Sequence, residues 1–172
     1  VEAVATGEQS DATWGIDRTD QRSLPLDSTY SYADDAGRDA HVYVIDTGLN
    51  PNHAEFTGRV GEGRNFVSSG LLGLGGSVDP TAWTDCNGHG THVTSTAAGT
   101  TWGIAKKATV HAVRVLNCQG SGSGAAIIAG IDWVAQHAEP QSVANLSLGT
   151  LSRSTDVDNA VTALVQSGVA VA

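Results

Sequence analysis

The chain has no apolar run long enough to cross a membrane and contains only two cysteines in 172 residues. A transmembrane helix needs about 20 predominantly apolar residues, so no membrane span is expected. Two thiolates are too few for a structural zinc site of four cysteines, and they leave a single disulfide or two unrelated buried thiols open. No basic segment precedes an apolar one, so no signal peptide is expected within these residues; either none existed or it was removed.

Basic residues are also scarce, since 9 Lys and Arg stand against 18 Asp and Glu for a formal net charge of -9. This balance argues against nucleic-acid binding, which needs a basic surface, and against docking on anionic lipid. Clustered acids can still hold calcium. With 40% hydrophobic residues, the chain is long enough for one domain with a hydrophobic core.

Strand-like and helix-like segments alternate along most of the chain. Short β-branched or alternating runs predict strands at residues 41–45, 109–116, 142–148 and 169–172. Small-residue or amphipathic segments predict helices at residues 91–99, at residues 125–138 and from about Asp156. This order predicts an α/β fold with a doubly wound parallel sheet, whose functional groups gather beyond the carboxyl ends of the strands.

Several local features refine this prediction. Residues 1–13 are small and polar and are expected to form a flexible N-terminal segment ahead of the domain at residues 14–172. The glycine-rich residues 70–77 predict an exposed loop. In the last helix, Thr155 and Asp158 have a spacing similar to a capping box. The apolar stripe of that helix is predicted at Val157, Val161, Leu164 and Val165, with Gly168 ending it.

Asp46 directly follows the apolar run VYVI and is followed by Thr47 and Gly48. A carboxylate at the carboxyl end of a buried strand can orient a neighbouring histidine, although a lone D-T-G is also compatible with a turn aspartate. D-T-G is equally a signature of aspartic proteases, which need two such aspartates sharing a proton. This chain has one D-T-G, and its helical segments do not suit an all-β enzyme.

His89 lies in the sequence N-G-H-G-T-H, just before the predicted helix of small residues. Glycines on both sides allow other groups to approach closely, and an imidazole oriented by a carboxylate can act as a general base. Two other interpretations are a glycine-rich helix start with incidental histidines and a metal site formed by His89 and His92. No third ligand is evident nearby, and the H-E-x-x-H pattern is absent.

Together these motifs resemble the subtilisin-like serine proteases, most closely their proteinase K branch. The segments VIDTGLNPNHAEFTGR, NGHGTHV, GIAKKATVHAVRVLNCQGSGS and SVANLSLG match that family in the same order, over about residues 12–172. The resemblance implies a subtilisin-like fold and a secreted, extracellular serine endopeptidase. It makes Asp46 the triad aspartate, which orients the imidazole, and His89 the triad histidine, which moves the proton.

The nucleophile of the family lies in a later G-T-S-M-A segment and its oxyanion asparagine in an A-A-G-N segment, and neither occurs in this sequence. We therefore expect the N-terminal part of a catalytic domain, inactive alone, whose partner is a second chain carrying the C-terminal half. Two alternatives are that this sequence is an incomplete part of a single enzyme and that the chain is a non-catalytic binding or inhibitory fragment. The family lays its extended peptide or protein substrate between two segments that match Gly120, Ser121 and Gly122 on one side and Ser147, Leu148 and Gly149 on the other.

The resemblance implies two further features. The segment IDRTDQRSLPLDST is similar to a calcium-binding segment of bacterial proteinase K relatives, with candidate calcium ligands at Asp17, Asp20, Gln21, Asp27 and Thr29. The same relatives bridge cysteines at the positions of Cys86 and Cys118. The sequence departs from the family after His89, where V-T-S-T replaces V-A-G-T and places Ser95 at a usual glycine, and at Thr150, where a further glycine is common.

Overall fold

The structure, a computed structural model, describes residues 6–70, 76–149 and 152–172. The strands are β1 (Thr6–Ser10), β2 (Thr29–Ala33), β3 (His41–Asp46), β4 (Arg64–Asn65), β5 (Thr109–Arg114), β6 (Ser142–Asn145) and β7 (Ala170–Val171). The α-helices are α1 (Trp14–Asp20), α2 (His89–Ala98), α3 (Gly124–His137) and α4 (Thr155–Gln166), and a short 3₁₀ helix spans Ala54–Phe56.

Five strands form one parallel sheet in the order β4-β5-β3-β6-β7. The chain starts this sheet at β3, adds β4 and β5 on one side, and then returns to add β6 and β7 on the other. The reversal beside β3 creates a crevice at its carboxyl end, the usual position of a site in such sheets. The α/β fold with a parallel sheet is thus confirmed.

The central strand β3 is buried on both faces, which is why its sequence is a continuous apolar run. Tyr43 and Ile45 pack into a core shared with α3 and α4. Val42 and Val44 point the other way, into a core that includes Ala98 of α2. Helices therefore cover both faces of the sheet, as the prediction of a doubly wound arrangement requires.

Helix α4 differs from its prediction at both its start and its apolar face. Ser154, not Thr155, is the N-cap, and its hydroxyl accepts from the Val157 N–H at 3.4 Å. Asp158 instead accepts a bond from Arg153 Nε at 2.7 Å. Leu164 is fully buried whereas Val165 is 53% exposed, because successive helical residues are turned by about 100°. Gly168 follows the helix with φ +98°, as a terminating glycine should.

The N-terminal segment is more ordered than its composition indicates. Residues Thr6–Ser10 form β1, which pairs antiparallel with β2 from Thr6↔Ala33 to Ser10↔Thr29. The predicted flexible segment at residues 1–13 therefore contains a strand at residues 6–10, for which β2 supplies main-chain partners that the local sequence does not reveal. Residues 1–5 lie outside the described residues, and so do residues 71–75 of the predicted glycine-rich loop.

A histidine pair lies at the opposite end of the sheet from Asp46. His111 is 6% exposed and stacks on Tyr43 with ring centroids 4.2 Å apart. Its Nδ1 donates to the Glu62 carbonyl at 3.0 Å, and its Nε2 lies 2.9 Å from His41 Nδ1. In the neutral ring that burial favours, the proton on Nδ1 leaves Nε2 free to accept from His41 Nδ1. Burial lowers the pKa of His111. The neighbouring His41 lowers this pKa further, whereas Glu62 and Glu139 act in the opposite direction.

Acidification should weaken the fold through His111. Its folded pKa is depressed, so the unfolded chain binds more protons as the pH falls through the ordinary histidine value of about 6.5, and the free energy of unfolding then decreases. We expect urea denaturation to show this loss, and His111→Gln to make the dependence shallower. His92→Gln, at an exposed histidine, is the control. An equally steep dependence in His111→Gln would contradict the assignment.

Candidate active site

Asp46 is the last residue of β3 and is completely buried. Its Oδ1 accepts from the Thr47 N–H at 2.6 Å, and its two oxygens lie 2.8 and 2.9 Å from His89 Nδ1. An ionised carboxylate can only accept hydrogen bonds, so the proton of this contact belongs to Nδ1. The pair therefore holds the neutral imidazole in one tautomer, with Nε2 unprotonated.

His89 opens helix α2, whereas the sequence predicted the helix from residue 91. Its side chain is 47% exposed although its partner Asp46 is buried. With Nδ1 turned toward Asp46, Nε2 is on the opposite side of the ring. This nitrogen can take a proton from a group in the cleft that His89 lines.

Two glycines allow β3 and α2 to approach closely enough for this contact. A Cβ atom added to Gly90 would lie 2.3 Å from the Gly48 carbonyl oxygen. Gly48 has φ +113°, and a Cβ there would lie 2.3 Å from the Trp83 carbonyl oxygen. A larger residue at position 90 would push the start of α2 away from the end of β3, whereas one at position 48 would displace the segment from Trp83 to Asp85.

No sequence motif pointed to Asp85, although its carboxylate accepts five hydrogen bonds close to Asp46 and His89. Partial burial alone would raise the pKa of Asp85, but bonds from Gly88, Thr91 and Asn87 outweigh it and lower the pKa to about 2. Helix-capping preferences apply to the residue directly before the helix, which here is Gly88, and they therefore do not point to Asp85. An aspartate three residues ahead of that position is the signal that could have identified it.

The two predicted substrate segments lie on opposite sides of one cleft. The cleft has a volume of about 710 Å³ and is lined by both Gly120–Gly122 and Ser147–Gly149 together with His89. The predicted strand at residues 142–148 ends at Asn145, so that Ser147–Gly149 leave the sheet and reach the cleft. The structure thus brings together all eight residues predicted for catalysis and substrate binding.

Cys86 and Cys118 form a disulfide, with Cα atoms 5.0 Å apart. This excludes the alternative of two unrelated thiols. The bridge joins the turn before His89 to the segment before Gly120, and Asn87 Nδ2 donates to the Cys118 carbonyl at 2.9 Å beside it. One side of the cleft is therefore tied to the helix that carries the histidine.

The five predicted calcium ligands lie in helix α1, in the segment that follows it and at the first residue of β2. Asp17 is 2% exposed, and its Oδ2 accepts from the Ser28 N–H at 2.7 Å, while its Oδ1 is buried without a hydrogen-bond partner. Asp20 accepts from the Ser31 N–H at 2.7 Å and Asp27 from the Thr29 N–H at 2.9 Å. Gln21 Nε2 donates to the carbonyls of Ser23 and Pro25.

The described residues, 6–70, 76–149 and 152–172, contain no group of three or more His, Cys, Asp or Glu side chains placed to hold a metal ion. The alternative metal site at His89 and His92 therefore gains no third ligand in the described part of the chain. Calcium at residues 17–29 would depend on amide and main-chain oxygens besides carboxylates.

Comparison with known proteins defines the class to which this site belongs. Residues 37–172 match the model of the subtilase family. The chain is 49% identical over 170 residues to an extracellular serine proteinase of Thermus sp. (strain Rt41A), covering 99% of this chain and 38% of that protein. It is 50% identical over 165 residues to alkaline serine exoprotease A of Vibrio alginolyticus, covering 96% and 29% respectively. The chain belongs to the subtilase family.

A solved structure carries the same fold. A cold adapted subtilisin-like serine proteinase superposes with a TM-score of 0.84 at 48% sequence identity, over 94% of this chain and 55% of that one. The fold is therefore subtilisin-like, as the resemblance implied. The chain spans about a third of the length of these two bacterial relatives and about half of the solved structure. Within the described residues, no helix is long and apolar enough to span a membrane.

Gly90→Ala should separate Asp46 from His89 and destabilise the fold. The added methyl group would meet the Gly48 carbonyl, and overpacking of this kind costs about 1–3 kcal/mol. Urea denaturation measures the loss. Gly15→Ala is the matched control, because no atom lies within 4 Å of its added Cβ. Equal stability of the two variants would show that the Gly48–Gly90 contact is not under constraint.

Proposed function

We propose that this chain supplies the orienting acid, the general base and part of the substrate groove of a secreted serine endopeptidase of the subtilisin and proteinase K type. The Asp46–His89 contact at the mouth of a cleft lined by both groove segments carries the proposal. The relatives support it, since they are named serine proteinases. Secretion is supported by the word extracellular in the name of the Thermus relative and by the disulfide.

In the proposed reaction, His89 Nε2 takes the proton of a serine hydroxyl as the oxygen bonds to the peptide carbonyl carbon. The imidazolium then gives this proton to the leaving amine as the peptide C–N bond breaks, which leaves an acyl ester. Water repeats the sequence and releases the acid. Asp46 stays ionised, keeps the proton of Nδ1 in place and stabilises the imidazolium.

The serine and the oxyanion donor of this reaction lie outside the 172 residues, since neither G-T-S-M-A nor A-A-G-N occurs in the sequence. We infer that a polypeptide carrying those segments completes the site. The substrate is an extended peptide that binds by strand addition between Gly120–Gly122 and Ser147–Gly149. Main-chain hydrogen bonds would give affinity for many sequences, and the pockets of the cleft would give preference.

Complementation tests this function directly. The chain alone should not hydrolyse a chromogenic peptide, because a triad without its nucleophile loses most of its rate enhancement. Mixing it with a polypeptide carrying the serine and asparagine segments of a relative should restore hydrolysis that phenylmethylsulfonyl fluoride blocks. Inhibitor-sensitive hydrolysis by the chain alone would refute the expectation. A complex that forms without activity would favour the binding or inhibitory alternative.

Within an active complex, Asp46→Asn should lower kcat by about 10⁴-fold, because the amide favours the wrong tautomer of His89. KM should stay close to its original value, since Asp46 is buried beneath the histidine and does not reach the substrate. Steady-state kinetics with one peptide substrate separates the two constants. Asp39→Asn changes an exposed aspartate outside the site and serves as the control. A small effect of Asp46→Asn on kcat would exclude the proposed role.

We further propose that calcium binds at the turn between α1 and β2, through oxygens of Asp17, Asp20, Gln21, Asp27 and Thr29. The buried Asp17 Oδ1 without a partner supports the proposal, since an unpaired buried carboxylate oxygen is costly and a hard cation would satisfy it. The ion would stabilise the N-terminal region by joining helix α1 to the segment leading into β2.

Calcium should raise the melting temperature of the chain, because a ligand that binds only the folded state adds about 2.7 kcal/mol at 100 times its Kd. Asp17→Asn should abolish the calcium-dependent part of this increase. Scanning calorimetry with calcium and with a chelator measures both, and Asp39→Asn is again the control. A calcium effect of unchanged size in Asp17→Asn would place the ion elsewhere.

A further inference from the structure

The carboxylate of Asp85 connects the two elements that carry the catalytic pair. Its Oδ1 accepts from the Thr47 hydroxyl at 2.9 Å, and Thr47 directly follows Asp46 at the end of β3. Its Oδ2 accepts from the Thr91 N–H at 2.9 Å and from the Thr91 hydroxyl at 2.6 Å, in the first turn of α2. The same side chain is thus bonded to the aspartate's strand and to the histidine's helix.

Two more bonds hold the turn that precedes His89. Asp85 Oδ1 accepts from the N–H groups of Asn87 and Gly88, both at 2.9 Å. Asn87 in turn accepts from the His89 N–H through its Oδ1 at 3.2 Å. The main chain entering His89 is therefore fixed by a carboxylate that does not touch the imidazole.

The hydroxyl of Thr47 extends this network to the next residue of the helix. It donates to Asp85 and accepts from the Gly90 N–H at 2.8 Å. The first three N–H groups of α2, which have no partner inside the helix, are consequently bonded to Asn87, Thr47 and Asp85. An ordinary N-cap residue satisfies such groups from the position next to the helix, whereas here the hydroxyl that accepts from Gly90 belongs to Thr47, which follows β3.

We propose that Asp85 is a positioning residue for the catalytic pair, which holds the start of α2 against the end of β3 so that His89 Nδ1 meets the carboxylate of Asp46. The inference rests on the proposed function, because positioning matters for catalysis only if His89 is the base. The low pKa of Asp85 keeps this carboxylate ionised across the neutral range, and its charge favours the N-terminus of α2.

Asp85→Asn is the informative substitution because it preserves size and removes one acceptor. All five bonds to Asp85 need oxygen, on Oδ1 for three of them and on Oδ2 for two. Whichever way the amide is turned, its NH₂ group faces donors of the network. The start of α2 must then shift, and a displacement of about 1 Å at a reacting group can lower the rate about 100-fold.

The first measurement uses the isotopically labelled 172-residue chain and needs no activity. Nitrogen NMR of the His89 ring shows which nitrogen carries the proton. The original chain should show the proton on Nδ1, and Asp85→Asn should show a mixture of tautomers. Asp79→Asn is the matched control, since Asp79 Oδ1 also accepts from a threonine N–H and hydroxyl, those of Thr81, in an exposed loop. A folded Asp85→Asn with an unchanged His89 spectrum would overturn the proposal.

A second substitution covers the case in which Asp85→Asn does not fold. Thr47→Val keeps the shape of the side chain but removes the hydroxyl between Asp85 and Gly90, whereas Thr47→Ser retains it. We expect the valine variant to show mixed His89 tautomers and the serine variant to show the original spectrum. Identical spectra for both would refute the bridging role of the network.

The complemented protease gives the functional readout. Asp85→Asn should lower kcat about 100-fold with little change in KM, since only the reacting geometry changes. Asp79→Asn should leave both constants unchanged. If the original complex shows no activity, the proposed function fails while the NMR result still decides whether Asp85 positions His89. If kcat is unaffected by Asp85→Asn, the positioning role is refuted.

Discussion

A fully buried carboxylate must be paired, and the end of the sheet in this protein is organised around that requirement. Asp46 has no contact with solvent and is satisfied by the Thr47 N–H and by His89. The histidine can reach it only if the start of α2 lies against the end of β3. The glycines at 48 and 90, the disulfide and the bonds to Asp85 all act on that single contact.

The elements around this contact contribute in different ways. The parallel sheet places Asp46 at the carboxyl end of β3, where the order of strands reverses. The loops that leave the sheet in opposite directions at this point form a crevice. The disulfide ties the turn before His89 to the glycine-rich side of the cleft. Because the imidazole is half exposed above a buried acid, one ring nitrogen is held by the protein and the other faces the cleft. This asymmetry is what a general base requires.

Local sequence predicted the central elements well and the boundaries of others less well. The apolar run at β3 and the amphipathic pattern of α3 are strong signals, since burial of both faces of a strand produces a continuous apolar run and burial of one helix face produces a helical periodicity. The sequence predicts the start of α2 at residue 91, two residues after its observed start at His89, because glycine and histidine are weak helix formers. Hydrogen bonds from residues outside the helix cap its first turn instead. The strand at residues 6–10 was not predicted, because its pairing partner at residues 29–33 is distant in the sequence.

The sequence by itself determined the family, the alternation of strands and helices, and the candidate pair Asp46 and His89, because these are carried by contiguous motifs and by periodicity. The resemblance implied the two groove segments and the Cys86–Cys118 bridge, and the tertiary structure shows how the packing places both segments along one cleft and forms the bridge. It alone revealed Asp85 as the link between β3 and α2. Contacts between residues distant in sequence follow from how elements pack, and no local pattern of side chains records that packing.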